Sequence, residues 1–545
     1  MLTPLFLGAG ILAVLILALS LVCEIIFQFF GRGAKQKLTV ISDDEFKKEL
    51  NIEGGERLLS LLQNNGFNIP AACGGMATCG QCKVKLYTDV GLYTAVETPH
   101  FDMRSRENAK KFLEDGIGDG YERLACQVRV EKDVSLYLSK DTLNVKKYTA
   151  RAVKKILITS DKMEIWLKPS KPIAYKPGQY IQLMLPEDFV EEHYNKYETH
   201  IKKACENLGK EFIPYKPGNA MYRGYSLASY EPDLLKLIVR LAPVDPSKAV
   251  ESGGAPCIGP SCVHHYTQER SLWNFFLGEK IHFTGPYGHF SLKTEPHTAV
   301  FVAGGAGLAP ILALLEQWFI EGRQEKAIFF LGERRLQDIP IMYLPKWLKW
   351  QMQNPNFKFI PVLSGAFRDD DPAMLNEIDK KCFLSLADEG KQLAKKQGYI
   401  DEQEQQWQGE KGFIGPLLNK YLTPDPDIAF YLCGPAPMTV TVIDAAANVL
   451  NLQKENALFD DFTGTLTPSV DILYQKLELK EKMLAANIPD AGKIIEKLTF
   501  TLVVQLLLRD KIEEGYSFIG KVRNILETSG QKDKDLVALL DSYKK

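Results

Sequence analysis

Hydrophobic and polar positions change rhythm repeatedly along this chain, and each rhythm predicts a different element. From Leu5 to Phe30 almost every position is apolar, and these 26 residues would form a helix of about 39 Å at ~1.5 Å per residue, enough to cross a bilayer with some tilt. Ser20, Cys23, Glu24 and Gln28 are its polar positions, and Glu24 is expected to snorkel to the interface or meet another subunit's helix. Arg32, Lys35 and Lys37 follow, which by the positive-inside rule places the N-terminus outside and the rest of the chain in the cytoplasm. No positive charge precedes the apolar run and no small-residue cleavage site is found with it, so a retained anchor is favoured over a cleaved signal.

Beyond the anchor the apolar runs shorten. Lys83–Leu86 and Gln127–Val130 alternate like short strands of a β-grasp. From about Tyr148 short strands alternate with turn signals, including Lys176-Pro-Gly-Gln-Tyr180 entering a strand and Gly285-Pro-Tyr-Gly288 closing the region, which predicts an antiparallel barrel. Val300–Pro310 then reads as an apolar strand and a Gly-rich turn that opens a helix, and Ala327–Leu331 completes a βαβ unit. Ile428–Cys433 is a later strand of the same sheet. The charged, Gln-rich stretch 368–411 reads as a surface elaboration with some helix. After Thr465, helical spacing of Val470, Leu473, Leu477 and Leu484, then Leu498, Leu502 and Leu506, predicts a small helical module. Its run Phe500–Leu508 is too short to span a bilayer and is expected to be a buried helix.

Charge excludes one class of partner. Lys plus Arg (66) nearly balance Asp plus Glu (68), so nucleic acid is not expected to bind. Of ten cysteines, Cys23, Cys205, Cys257, Cys262, Cys382 and Cys433 lie apart, as expected of free thiols in a reducing compartment. The other four form a set: Cys73, Cys79 and Cys82 on one Gly-rich loop, with Cys126 supplied from downstream. Four thiolates meet the ligand demand of a 2Fe-2S cluster, and Gly74, Gly75 and Gly80 permit backbone angles that aim amides at sulfur. A zinc site is the alternative, but it usually has two C-x2-C pairs, and only Cys79 and Cys82 are so spaced. The leading C-x5-C is one residue longer than the plant-type ferredoxin spacing.

Two further motifs suit organic cofactors. In Arg223-Gly-Tyr225-Ser226, the guanidinium suits a pyrophosphate, the ring can stack on an isoalloxazine, and the hydroxyl can sit near the flavin N5. Such a pattern is also common on ordinary half-exposed strands. Gly259–Val263 could present amides to phosphate or be a plain surface loop. Gly304, Gly305 and Gly307 lie at a helix start suited to a dinucleotide phosphate. Glu333 would accept a ribose 2′-hydroxyl, favouring NADH, although Arg334 and Arg335 stand beside it. Cys433 lies at the carboxyl end of its strand, where ligands of open α/β sheets sit; a buried structural cysteine is the plainer reading.

Taken in order, the anchor, CGGMATCGQC with LACQV, RGYS, AGGAGLAP, YLCGPAPM and Ala457-Leu-Phe-Asp-Asp-Phe462 resemble the flavin and iron-sulfur subunit of sodium-translocating NADH:quinone reductases. The resemblance covers about residues 1–464; its flavin and nicotinamide motifs are shared across the ferredoxin-NADP reductase superfamily. It implies a multidomain α+β chain: a transmembrane anchor (1–33), a β-grasp 2Fe-2S domain (34–147), an FAD barrel (148–295), an α/β Rossmann-like NADH domain (296–464) and a helical extension (465–545). It further implies electron flow from NADH to FAD to the 2Fe-2S cluster, then to other membrane subunits that reduce ubiquinone and move sodium, in a bacterial cell inner membrane. Arg223, Tyr225 and Ser226 match the family's flavin motif, Cys433 lies near the nicotinamide, and Phe462 matches an aromatic covering the flavin. Three features depart from the family: the residues after Phe462, where the family chain normally stops, the 368–411 insert, and Met76 and Ala77 in place of part of a glycine run. A soluble oxygenase reductase component has the same modules, but the anchor argues against it. An assembly scaffold without chemistry would not need the cysteines or the flavin motif.

Overall fold

The computed structural model describes residues 35–43, 46–71, 73, 75, 77, 79–159, 162–185, 206, 221–240, 280–335, 338–365, 392, 393, 395, 396, 398, 399, 408–462, 464–509 and 511–543. The expected anchor and Gly259–Val263 lie outside them, as does most of the 368–411 stretch. Among the described residues no helix is long and apolar enough to cross a membrane. The chain forms two compact units. The smaller contains Cys82–Glu97 and Arg104–Asn144 together with the region before Pro70; the larger contains Val145 onward and two segments from the cysteine region, Pro70–Gln81 and Thr98–Met103.

The smaller unit is built on a five-stranded sheet. Its strands β1 (Lys35–Ile41), β2 (Lys47–Glu53), β3 (Lys83–Leu86), β4 (Tyr121–Leu124) and β5 (Val134–Tyr137) lie in the order β2-β1-β5-β3-β4. Only β1 and β5 run parallel. Helix α1 (Leu58–Asn64) buries Leu58, Leu59, Leu61 and Leu62. The expected strand Gln127–Val130 is reduced to one antiparallel bridge, between Arg129 and Arg57. Its backbone bonds the 55–58 turn, through Leu58 N–H to Val128 O and Val130 N–H to Glu56 O, and Ala125–Gln127 coil into a 3-10 turn. That turn leaves Cys126 fully buried.

In the larger unit, β6 (Lys146–Thr159), β7 (Lys162–Pro169), β8 (Tyr180–Leu185), β9 (Met221–Ser226), β10 (Leu235–Arg240) and β11 (Lys280–Tyr287) form an antiparallel sheet ordered β10-β7-β6-β11-β8-β9. Gly285–Gly288 is not a simple closing turn: β11 continues to Tyr287 through a shift of register after Thr284. A second, parallel sheet holds β12 (Thr298–Gly304), β13 (Ala327–Glu333), β14 (Phe357–Leu363), β15 (Glu410–Lys411), β16 (Ile428–Cys433) and β17 (Ala457–Phe459), in the order β15-β14-β13-β12-β16-β17. β12 and β16 are buried almost throughout, which is why they read as unbroken apolar runs: helices cover both faces of such a sheet.

Helices α2 (Leu308–Ile320), α3 (Leu344–Gln353) and α4 (Ala436–Val449) flank this sheet. The C-terminal helices α5 (Leu466–Ala485), α6 (Ala491–Thr499), α7 (Ile512–Thr528) and α8 (Lys532–Ser542) do not form a separate body. Their apolar faces enter one core with Val300, Phe330, Phe430 and Ile443 of the parallel-sheet domain. The buried Lys476 ammonium of α5 is paired with Asp444 of α4. The stretch 500–506, a wide-turned continuation of α6, buries Thr501, Leu502, Val503 and Leu506.

Candidate active site

The order of the parallel sheet reverses at β12, so a crevice opens beyond the carboxyl ends of β12 and β16. Backbone lines it closely. A Cβ at Gly307 would lie 2.2 Å from Cys433 O, and one at Gly434 would lie 3.1 Å from Gly304 N and 2.5 Å from the Met438 methyl. Only glycine lets the two strand ends approach this far. Gly305 has φ +57 with open space beside it. On the next turn the buried Thr439 hydroxyl has no partner among the described residues. A glycine turn at a helix start and a spare buried hydroxyl fit a dinucleotide's phosphates.

The edge strand β9 carries the second motif. Arg223 is buried and donates from Nη1 to Tyr222 O at 2.8 Å; Tyr225 is partly buried against the core of the antiparallel sheet. Strand alternation puts both on one face. Ser226 pairs in register with Tyr180 and donates from Oγ to Asp460 Oδ2 at 2.9 Å. Asp460 follows β17 directly, and burial pushes its carboxyl up to about 7 against the opposing effect of the Ser226 hydrogen bond. Cys433 is fully buried; burial first, then the nearby Asp460 and Asp461 carboxylates, hold its thiol well above the ordinary range. The structure therefore brings Ser226, Asp460 and Cys433 together around one crevice, with Cys433 as a neutral thiol.

Two other expected residues sit differently. Phe462 is 38% exposed, two residues past Asp460, where the chain turns toward α5. The Glu333 carboxylate is buried and faces the antiparallel sheet, where Lys162 Nζ of β7 lies 3.1 Å away and also donates to Asp338 O at 3.0 Å. Arg335 is engaged as well, with Nη2 2.8 Å from Asp338 Oδ1.

All four cysteines of the set are buried thiols outside any disulfide. Within the larger unit, the Cys73 and Cys79 side chains hydrogen-bond each other, and backbone N–H groups of Gln81 and Cys73 point at the Cys79 sulfur. Within the smaller unit, Ala125 N–H bonds Cys82 O at 2.8 Å, and Gln127 Nε2 lies 3.5 Å from Cys126 Sγ. Gly75, Ala77 and Gly80 all have positive φ, which curls the loop so that amides face sulfur. Buried thiols with amide donors suit cluster thiolates. This loop, Pro70–Gln81, belongs to the same compact unit as the antiparallel sheet.

Residues 41–131 match the 2Fe-2S iron-sulfur cluster binding domain family, and 301–389 match the oxidoreductase NAD-binding domain family. Over 473 residues, 84% of this chain and 99% of the relative, the sequence is 27% identical to the F subunit of the Na(+)-translocating NADH-quinone reductase of Pseudoalteromonas atlantica. The corresponding protein of Histophilus somni is 28% identical over the same shares. This chain is similar to those F subunits along nearly their whole length. It joins a 2Fe-2S ferredoxin to a flavin- and nicotinamide-dependent reductase, with FAD and the 2Fe-2S cluster as cofactors and NAD(H) as substrate. Among solved structures, the Amycolatopsis cytochrome P450 reductase GcoB aligns with 78% of this chain and 98% of its own at 19% identity, with a TM-score of 0.46. The chain is thus an NAD-dependent oxidoreductase that moves electrons from NADH through FAD to the cluster. Sequence reasoning missed Asp460; its signal was the paired carboxylates in Leu-Phe-Asp-Asp-Phe462, which read only as a family mark.

Proposed function

We propose that this chain is the electron-entry subunit of a sodium-translocating NADH:quinone oxidoreductase, held in a bacterial inner membrane by residues 1–33 and passing electrons to other subunits of that complex. The observation that carries this reading is the convergence, within one compact unit, of the Cys79 loop, the Ser226–Asp460 pair and the Cys433 strand end. A flavin is what such a site needs, because it can take two electrons as hydride and release them one at a time.

In this reading each residue has a specific task. Gly304, Gly305 and Gly307 cradle the dinucleotide, and Cys433, as a buried neutral thiol, packs against the nicotinamide. Arg223 holds the flavin pyrophosphate, Tyr225 stacks on the ring, and the exposed Phe462 covers the other face. Ser226 and Asp460 hold a proton between them beside the ring, since a carboxyl titrating near neutrality can both keep and release it. Glu333 sits at the end of β13, where a ribose hydroxyl would bind, but it must share its carboxylate with Lys162. Cys73, Cys79, Cys82 and Cys126 ligate the cluster.

Replacing one ligand separates the two halves of the path. Cys79→Ala should abolish quinone reduction by the assembled complex while NADH oxidation by a two-electron dye continues. Equal loss of both activities would sink the proposed order of carriers.

A further inference from the structure

Two stretches of the cysteine region, Pro70–Gln81 and Thr98–Met103, pack with the reductase body, and what holds them there is the start of the C-terminal extension. His100 is buried, and its Nδ1 lies 3.0 Å from Gly464 O. A carbonyl only accepts, so Nδ1 carries the proton and donates. Gly464 itself has φ +68, and a Cβ there would lie 2.5 Å from Cys79 O and 2.6 Å from His100 Nδ1. A Cβ at Gly80 would also lie 2.6 Å from His100 Nδ1. Thus Gly464 is packed against the carbonyl of a cluster cysteine, and the His100 imidazole against both left-handed glycines, with no room for a methyl group at either.

The extension fixes Gly464 from the other side. Asp461 Oδ2 accepts the Leu466 and Thr467 N–H groups at 3.0 and 3.2 Å, closing the first turn of α5. Helices α5 and α7 pack against Thr98–His100, and Met103 packs against their shared core. Lys476 and Asp444 then tie α5 to α4. A break anywhere in this chain of contacts loosens the Cys79 loop, which belongs to the same compact unit as the flavin strands.

We propose that His100 and Gly464, anchored by the extension, form a clamp that seats the Cys79 loop against the flavin-binding strands and so sets the rate of the one-electron step into the cluster. The inference rests on the electron path proposed above. The stoichiometry is simple: hydride brings two electrons and one proton from NADH, leaving NAD+. The oxidised cluster accepts one electron at a time, each passed to a one-electron acceptor, and the proton is released to solvent. The clamp residues act through the Cys79 loop, against which they pack, and are positioning residues.

The test uses the full-length protein under anaerobic conditions with NADH alone. Flavin bleaching is followed by stopped flow, cluster reduction by freeze-quench EPR, and amide hydrogen exchange over residues 70–81 in parallel. In His100→Ala, bleaching should stay within about twofold of wild type, the cluster signal should grow about tenfold or more slowly, and the 70–81 amides should exchange faster. His100→Asn should restore both, because its amide nitrogen can donate to the same carbonyl. Gly464→Ala should behave like His100→Ala. Cluster reduction at the wild-type rate in His100→Ala, or failure of Asn to rescue, would overturn the clamp. So would unprotected 70–81 amides in the wild-type protein, a result that needs no variant to fold. A wild-type protein that shows no bleaching or no cluster signal would instead sink the underlying electron path.

Discussion

Ser226 Oγ donates to Asp460 Oδ2 at 2.9 Å, although 234 positions of sequence separate them. One end of this bond belongs to the antiparallel sheet and the other to the loop after the last strand of the parallel sheet. It ties the antiparallel sheet to the parallel-sheet domain.

That bond carries a pH dependence. Asp460 binds its proton more tightly in the folded chain than the ordinary 3.8, with burial raising the value to about 7. The folded state therefore holds more protons than the unfolded chain between those values, and stability falls as pH rises from about 4 to about 7. Asp460→Asn should lose this dependence, so that the variant gains relative to wild type between about pH 5 and about pH 8, by a few kcal/mol at most. Thermal unfolding across that range checks it; parallel curves for both proteins would contradict it. The same variant should bleach flavin with NADH about a hundredfold more slowly if the pair handles a proton.

Ala77 stands at φ 61, where an L side chain is strained by roughly 1–2 kcal/mol and glycine is not. Ala77→Gly should relieve that strain, partly offset by the greater entropy of glycine in the unfolded chain, and leave the cluster's EPR signal in place. A loop destabilised by more than about 1 kcal/mol in chemical denaturation would show that the Ala77 methyl has a packing role outweighing its backbone cost.

Lys162 and Glu333 form a buried ion pair, Lys162 at 1% side-chain exposure. Removing one partner leaves an uncompensated charge, so Lys162→Met should cost about 3–5 kcal/mol. The double variant Lys162→Met, Glu333→Gln should recover a substantial part of that loss, and a double-mutant cycle reads the coupling directly. Additive losses would mean that the pair is not coupled in solution.

Leu473 on α5 is almost fully buried in the core shared with the parallel sheet. Leu473→Ala should destabilise the nicotinamide-binding domain by about 2–5 kcal/mol, because the cavity lies in a joint core. Unfolding of the extension alone, with NADH binding and the rest of the transition unchanged, would show that the extension is a separate body.

Much of this chain was legible from local chemistry. Glycine runs and strand periodicity are short-range signals, and they anticipated the turn at Gly304–Gly307, a strand at Arg223–Ser226 and the helical character of the tail. The backbone at 127–130 was misread because its alternation is real, but its hydrogen bonds go to a turn rather than to a strand, and only spatial neighbours settle that choice. Tertiary structure alone decided three further matters: that Asp460 reaches Ser226, that Glu333 is engaged by a lysine from another sheet, and that the extension shares a core with the parallel sheet and touches the Cys79 loop through Gly464. Each is a contact between residues far apart in the chain, fixed by how apolar faces were buried together, and no periodicity within either segment records its partner.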